Sequence, residues 1–373
     1  MLDFTSALYL GLHHPTGALR PWSQFTTGVP AALAAPPEAE HVAQQLAALQ
    51  GCERGVLGPS TFHLFWDLFG MLSRHPVAVY VDAGTYPIAR WGVERAAGRG
   101  VPVREFAHHD AEALRTELRH HGQGQLRPVV LTDGFCPSCG KPAPLRSYLD
   151  SVRASGGWLV VDDTQALGIF GDSPGPDAPY GRGGGGMLPH AQISGPDVIA
   201  VSSLAKAFGA PLAVMTGSRA AIADFEQNSE TRMHCSPPSL PSIRACEHAL
   251  AVNRKRGDQL RRRLARLVTR FRQRAGHAGF RFTGRLFPVQ TLMPAPGANP
   301  VHVYQRLWKQ GIRSVLHSAP DGRGERVSLV ITARHVPEQI VCAAKALTEL
   351  SNRSGTKSES WLPRREYTSW DTD

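Results

Sequence analysis

The sequence predicts an α/β fold, and three observations carry the prediction. The chain has 373 residues, of which 42% are hydrophobic and 19% charged, enough to bury a large core and too many for one small domain. Short apolar runs alternate with helical patterns through its first two thirds, the signature of a sheet covered on both faces by helices. Two of those runs end in ionisable groups, and open α/β sheets build their ligand sites at such strand ends.

In chain order, residues 1–40 form an irregular opening rich in Pro, Gly and Ala. Glu38–Leu49 then reads as a helix with apolar positions at Val42, Leu46 and Leu49. Candidate buried strands are Val77–Val81, Val101–Phe106, Pro128–Thr132, Trp158–Asp162, Val198–Ser202 and Leu212–Thr216, with helices such as Ala111–His120 and Leu145–Ala154 between them. These place a large domain over residues 41–240. Past about Pro238 the pattern changes to long helices (Ile243–Ala275, Val301–Gln310) and short strands (Gln290–Met293, Val327–Ile331), ending in the helix Glu338–Leu350. Residues 241–350 therefore read as a smaller α+β domain. The polar stretch 351–373 holds too few apolar groups for a core and is expected to be a mobile tail.

Composition excludes several classes. No stretch approaches the roughly 20 apolar residues of a membrane span, and the opening MLDFTSALYL lacks the features of a signal peptide. We expect a cytoplasmic protein with no membrane partner. The net charge of +10 is concentrated, with ten basic residues and one acid, Asp258, between Arg254 and Arg274. Leu260, Leu264, Leu267, Val268 and Phe271 recur there at helical spacing, so the arginines fall on the solvated faces of an outer helix and no nucleic-acid partner is expected. Such a patch still attracts anionic substrates, phosphates or thioester carriers among them. Of six cysteines only Cys136 and Cys139 form a C-x-x-C pair, and a zinc ribbon needs a second pair. The pair reads as two reduced thiols in a Pro-containing loop.

The strongest chemical signal is a pair of segments about 40 residues apart, Trp158–Gly171 (WLVVDDTQALGIFG) and Val198–Ser218 (VIAVSSLAKAFGAPLAVMTGS). The first drives an apolar strand into Asp162 and Asp163. The second runs through two serines to Lys206 on a tight turn. Lysine is rare in this chain: Lys141 lies in a Pro-rich turn, Lys255, Lys309 and Lys345 on amphipathic helices, and Lys357 in the tail. Lys206 alone sits where a reactive amine is expected. A lysine that forms a Schiff base must lose its proton to attack a carbonyl, which a desolvated site favours and arginine cannot match. A carboxylate opposite the nitrogen of a pyridine cofactor keeps that nitrogen protonated, and Asp162 fits the role.

These two segments, with REFAHHDAEAL (Arg104–Leu114), LTDGFCPSCGKPAPLRSYLD (Leu131–Asp150), the opening FTSALYLGL and the ending GERVSLVITARH (Gly324–His335), resemble the α-oxoamine synthase family from about Phe4 to Leu350. The resemblance implies a fold-type I pyridoxal-phosphate-dependent transferase. Its large domain carries a mainly parallel sheet of the seven-stranded type. It also implies that an amino acid condenses with an acyl thioester of coenzyme A or a carrier protein, in a homodimer.

Carried over by position, the resemblance makes Lys206 the Schiff-base lysine and Asp162 the partner of the pyridine nitrogen. Ser203 becomes a hydroxyl contact to the cofactor phosphate, and Ser60 and Thr61 match the turn whose amides open a helix against that phosphate. Tyr86 falls where the family usually stacks a histidine on the ring, although a core tyrosine is an equal reading. Arg326 is the candidate grip on the substrate carboxylate, against a plain solvated arginine. His234–Ser239 matches a stretch that reaches the partner's cofactor phosphate. Gln165 replaces the family's histidine beside the cofactor; it can hydrogen-bond there but cannot carry a proton at neutral pH. Ala7 and Leu8 replace an Asn-Asp pair, and the following glycine-rich segment is reduced to TTGVPAALAAPP. The cofactor site is kept while part of the substrate site is changed, so an aminotransferase, another pyridoxal-phosphate enzyme and a non-catalytic binding protein stay open as rivals.

Two motifs carry less. Gly181–Gly186 (GRGGGG) lacks the Lys-Ser/Thr of a phosphate loop and reads as a flexible turn. The pairs His108–His109 and His120–His121 suggest metal. However, neighbouring side chains diverge on strands and helices, and no cysteine or carboxylate stands at ligand spacing, so no metal is expected.

Overall fold

The structure is a computed structural model that describes residues 1–121, 126–277, 280–293, 299–319, 322 and 324–351. A seven-stranded sheet forms its centre, from strands β1 (Arg54–Gly58), β2 (Val77–Asp82), β3 (Val103–Phe106), β4 (Arg127–Asp133), β5 (Trp158–Asp162), β6 (Val198–Ser203) and β7 (Ala213–Gly217). Their spatial order is β1-β7-β6-β5-β4-β2-β3, and all neighbours run parallel except β7, which is antiparallel to both β1 and β6. The alternation of the strands sorts side chains into two cores. Val77, Val79, Val81, Leu131, Ile199 and Met215 face the core formed with helices α2 (Thr61–Leu72), α3 (Pro87–Gly98) and α6 (Arg219–Asn228). Ala78, Tyr80, Val130, Leu159, Val161 and Ala200 face the other, shared with α1 (Pro37–Gln50), α5 (Leu145–Arg153) and the 38-residue α7 (Leu240–His277). Between β3 and β4 lies α4 (Ala111–His121).

Beyond α7, strands β8 (Val289–Thr291), β9 (Val315–Ser318) and β10 (Glu325–Val330) form an antiparallel sheet in the order β8-β10-β9. Helices α8 (Pro300–Lys309) and α9 (Pro337–Ser351) accompany it. The irregular N-terminal segment is tied to this region: Leu2–Asp3 pairs with Ile312–Arg313, the Val330 amide donates to the Phe4 carbonyl (2.8 Å), and the Ala333 amide donates to the Tyr9 carbonyl (2.8 Å). No helix among the described residues is long and apolar enough to cross a membrane. The tail expected to be mobile lies, from residue 352 on, outside the described residues.

Two expectations are corrected here. The arginines of α7 are not all solvated. Arg261 is buried and donates to the Gly168 carbonyl (2.9 Å), Asn253 Oδ1 (2.8 Å) and Asp258 Oδ1 (2.6 Å). Glycine leaves it room, since a Cβ on Gly184 would stand 2.3 Å from its guanidinium. Nor is Gly181–Gly186 a loose turn. Gly184, Gly185 and Gly186 are buried, and a Cβ on Gly186 would stand 1.8 Å from Asp163 Oδ2. The glycines are there because backbone packs against backbone and carboxylate.

Candidate active site

The register of the sheet aligns the chemistry along one edge. Gly58, Ala213 and Ser203 stand side by side across β1, β7 and β6. Asp162 pairs with Val201 on one side and with Asp133 on the other, and Asp82 ends β2 on the next strand over. This is the carboxyl end of the parallel strands, where the chain leaves the sheet for its helices and can leave a crevice.

Lys206 sits three residues past the end of β6. The turn that carries it is closed by bonds from the Leu204 amide to the Leu212 carbonyl (2.9 Å) and from the Ala210 amide to the Leu204 carbonyl (3.0 Å). Gly209 has φ +65°, and a Cβ there would lie 2.5 Å from the Leu12 carbonyl, so the N-terminal segment presses directly on the lysine turn. Burial lowers the Lys206 ammonium below its ordinary pKa, and the Asp162 charge opposes that shift.

Asp162 is buried, and burial raises its carboxyl while the Thr164 bonds and the Lys206 charge pull it down. Thr164 bridges the two key strands: its amide donates to Asp162 Oδ1 (3.0 Å) and its hydroxyl accepts the Ser203 amide (3.0 Å). Asp163, also buried, accepts the Met187 amide (3.0 Å) and holds the glycine run, so only the first of the adjacent aspartates faces the lysine turn's charge.

Asp133 went unnoticed in the sequence. Its carboxyl is pushed well above the usual range, first by burial and then by the neighbouring Asp162. It accepts the Tyr86 amide (3.1 Å) and so fixes the start of α3. Its only sequence signal was its place at the end of an apolar strand.

Ser60 is the N-cap residue of α2, but its hydroxyl pairs with His63 Nδ1 (2.8 Å) and makes no capping bond. The first-turn amides beginning at Thr61 therefore lack a side-chain acceptor, which suits an anion. Tyr86 is no core residue: it is 56% exposed at the head of α3. Gln165 Oε1 accepts the hydroxyl of the buried Tyr9 (2.8 Å), which leaves the amide nitrogen of Gln165 as the group it can present. Arg326 lies on β10 opposite His317 and donates to the Glu325 carbonyl (3.1 Å). It does not belong to the strand-end row.

The expectation that nothing accompanies His108–His109 is corrected. The two rings lie side by side, centroids 3.8 Å apart, and Cys139 Sγ is 3.6 Å from His108 Nε2 and 3.9 Å from His109 Nδ1. His109 has φ +56°, a left-handed conformation that folds its ring back beside its neighbour's. Divergence of adjacent side chains holds for regular strands and helices, and these residues form neither.

Comparison with known proteins agrees with the geometry. Residues 25–347 match the family described as aminotransferase class I and II. The 8-amino-7-oxononanoate synthase of Sodalis glossinidius is 28% identical over 361 residues, spanning 93% of this chain and 87% of the relative. Among solved structures, serine palmitoyltransferase from S. paucimobilis with bound pyridoxal phosphate and myriocin superposes with a TM-score of 0.78 at 16% identity, covering 94% of this chain and 87% of that one. The 8-amino-7-oxononanoate synthase of Francisella tularensis gives 0.70 at 17% identity, covering 94% and 98%. Both structural likenesses speak for the fold.

Proposed function

From the premise that the chain belongs to the class I and II aminotransferase family, we propose that it is a pyridoxal-phosphate-dependent transferase that condenses an amino acid with an acyl thioester. The observation that carries this reading is the desolvated Lys206 facing the buried Asp162 at the carboxyl edge of the sheet. The acyl-transfer part rests on the near full-length likeness to 8-amino-7-oxononanoate synthases.

The residues present fit the cofactor. Lys206 would hold it, Asp162 would face its ring nitrogen, and the α2 N-terminus at Ser60 and Thr61 with the Ser203 hydroxyl would take its phosphate. The exposed Tyr86 ring stands ready to cover its face. When bound, pyridoxal phosphate supplies an electron sink that stabilises negative charge on the substrate carbon. The protein's part is positioning and proton management. Burial favours the neutral amine at Lys206 Nζ, which can take a proton from the substrate carbon and return it. Asp162 gains from a facing cation what burial costs it as an anion. Gln165, held by Tyr9, can donate from its amide nitrogen but cannot move a proton. Arg326 is assigned the substrate carboxylate.

The homodimer belongs to the same proposal. Phe62, Trp91 and Met233 are large, apolar and exposed, on or next to the helices that open at Ser60 and Tyr86 and beside His234–Ser239, as a surface that another copy covers would be. A two-chain mass by light scattering is expected for the cofactor-loaded protein. For the reaction, a panel of amino acids is mixed with coenzyme A and carrier-protein thioesters while cofactor absorbance and free thiol are followed. At least one pair should release thiol in step with the spectral change. Amino transfer to a keto acid without thiol release would reassign the protein as an aminotransferase, and silence toward every amine would leave a binding protein.

A further inference from the structure

We infer that His108, His109 and Cys139 form a binding site for a zinc-type divalent ion, one that ties the turn after β3 to the hairpin after β4.

Three potential ligand atoms, one from each residue, all lie within 4.8 Å of one another, and none belongs to the site around Lys206. The separations fit a shared ion. With Zn–S of about 2.3 Å and Zn–N of about 2.0–2.1 Å, tetrahedral angles place sulfur and nitrogen about 3.6 Å apart. Cys139 Sγ is 3.6 Å from His108 Nε2 and 3.9 Å from His109 Nδ1. The mixed thiolate and imidazole set selects a borderline-soft ion over magnesium or calcium.

The surroundings are organised as a ligand shell requires. His108 Nδ1 pairs with Asp82 Oδ1 at 2.6 Å, which fixes the ring and leaves Nε2 as the free lone pair toward Cys139. Asp82 Oδ2 accepts the His109 amide (3.0 Å), so one carboxylate positions both histidines. Asp82 is itself held by the Gly84 amide (2.8 Å), the Thr132 hydroxyl (3.3 Å) and the Tyr148 hydroxyl (3.3 Å). On the other side, the hairpin that pairs Phe135–Cys136 with Lys141–Pro142 presents Cys139 at its tip. All six cysteines are free, so the Cys139 sulfur is available. Binding releases the Cys139 thiol proton to solvent and leaves a fourth position for water or for Cys136, whose sulfur accepts the Cys139 amide (3.5 Å). A disulfide between Cys136 and Cys139 accounts for neither imidazole.

The test uses the cofactor-loaded protein, reduced, with free thiols counted, then equilibrated with zinc and desalted. About one zinc per chain is expected, and cobalt in its place should give a thiolate charge-transfer band with the visible bands of a tetrahedral site. Cys139→Ser and His109→Ala should each cut retained zinc at least fivefold and remove the cobalt–thiolate band, whereas Cys342→Ser, on the exposed face of α9, should leave both unchanged. Thermal melts and cofactor absorbance show whether each variant is folded; if neither ligand variant folds, the cobalt spectrum of the unaltered protein decides. Reduced protein that retains no zinc, cobalt without a thiolate band, or undiminished zinc in folded Cys139→Ser overturns the site.

Discussion

Asp82 and Asp162 end strands of the same sheet, both buried, yet they are treated in opposite ways. Asp82 has five donors around it, from the Gly84 and His109 amides, His108, Thr132 and Tyr148. Asp162 draws only on Thr164 among the described residues, and otherwise faces the charge of Lys206. A buried carboxylate costs free energy unless it is paired or fully hydrogen-bonded. The first is satisfied by the fold, and the second has only Thr164 and a nearby charge to offset its burial. Its few partners set Asp162 apart from the satisfied Asp82 and support the role proposed for it.

The largest effect should come from Lys206. In Lys206→Ala, borohydride should no longer fix the cofactor covalently to the chain, seen by intact mass, and turnover should fall by about 10³-fold or more. A chain still labelled after that substitution would place the attachment elsewhere.

Exchanging each aspartate for asparagine sharpens the contrast directly. Asp162→Asn should fold with unchanged or greater stability and lose about 10²–10³-fold in turnover, the scale of removing one preorganised charge. Asp82→Asn should keep its cofactor but lose about 3 kcal/mol in urea unfolding, because its amide would set donors against donors. If both variants behave alike, the contrast drawn above is wrong.

A pH series probes the crowding beside Asp162. Burial and Asp162 raise the Asp133 carboxyl, so the native state binds this proton more tightly than the unfolded chain. Its contribution is present below the unfolded carboxyl pKa of about 4 and is lost as pH rises above it, with a slope of up to about 1.4 kcal/mol per pH unit for one proton. Urea titrations of cofactor-free protein from about pH 4 to about pH 7 should therefore show a flatter decline in Asp133→Asn than in the unaltered chain. Identical slopes would mean that Asp133 is charged in the fold. The smallest effect is expected for Tyr9→Phe, which removes one hydrogen bond from Gln165, about 1 kcal/mol. It should raise the amino-acid KM about fivefold with little change in cofactor binding, and a change confined to kcat would count against Gln165 as a substrate contact.

What could be read from the sequence follows the same division. Strands β2 and β4 to β7 announced themselves because each carries a continuous apolar run, whereas β3 is interrupted by the exposed Arg104 and Glu105. Lys206 and Asp162 stood out because an ionisable group interrupts such a run at or just past its end. β1 gave no comparable signal: Arg54–Gly58 has glycine at two of its five positions. Asp133 needed the pairing of β4 with β5 to become a neighbour of Asp162, and Tyr9 lies 156 residues from Gln165. The cluster at Cys139 was hidden for a different reason. A single left-handed residue, His109, reversed the rule about adjacent side chains, and Cys139 lies 30 positions further along the chain.

The glycine run at 181–186 has a consequence for how this protein tolerates change. Every Cβ added at Gly184, Gly185 or Gly186 would collide with Arg261, the Leu49 carbonyl or Asp163. In a saturation library, these three positions should therefore be as depleted of variants as Lys206, although none of them touches the reacting atoms. Retention of glycine there would record a steric demand and would resemble the fingerprint of a nucleotide-binding loop only in its letters.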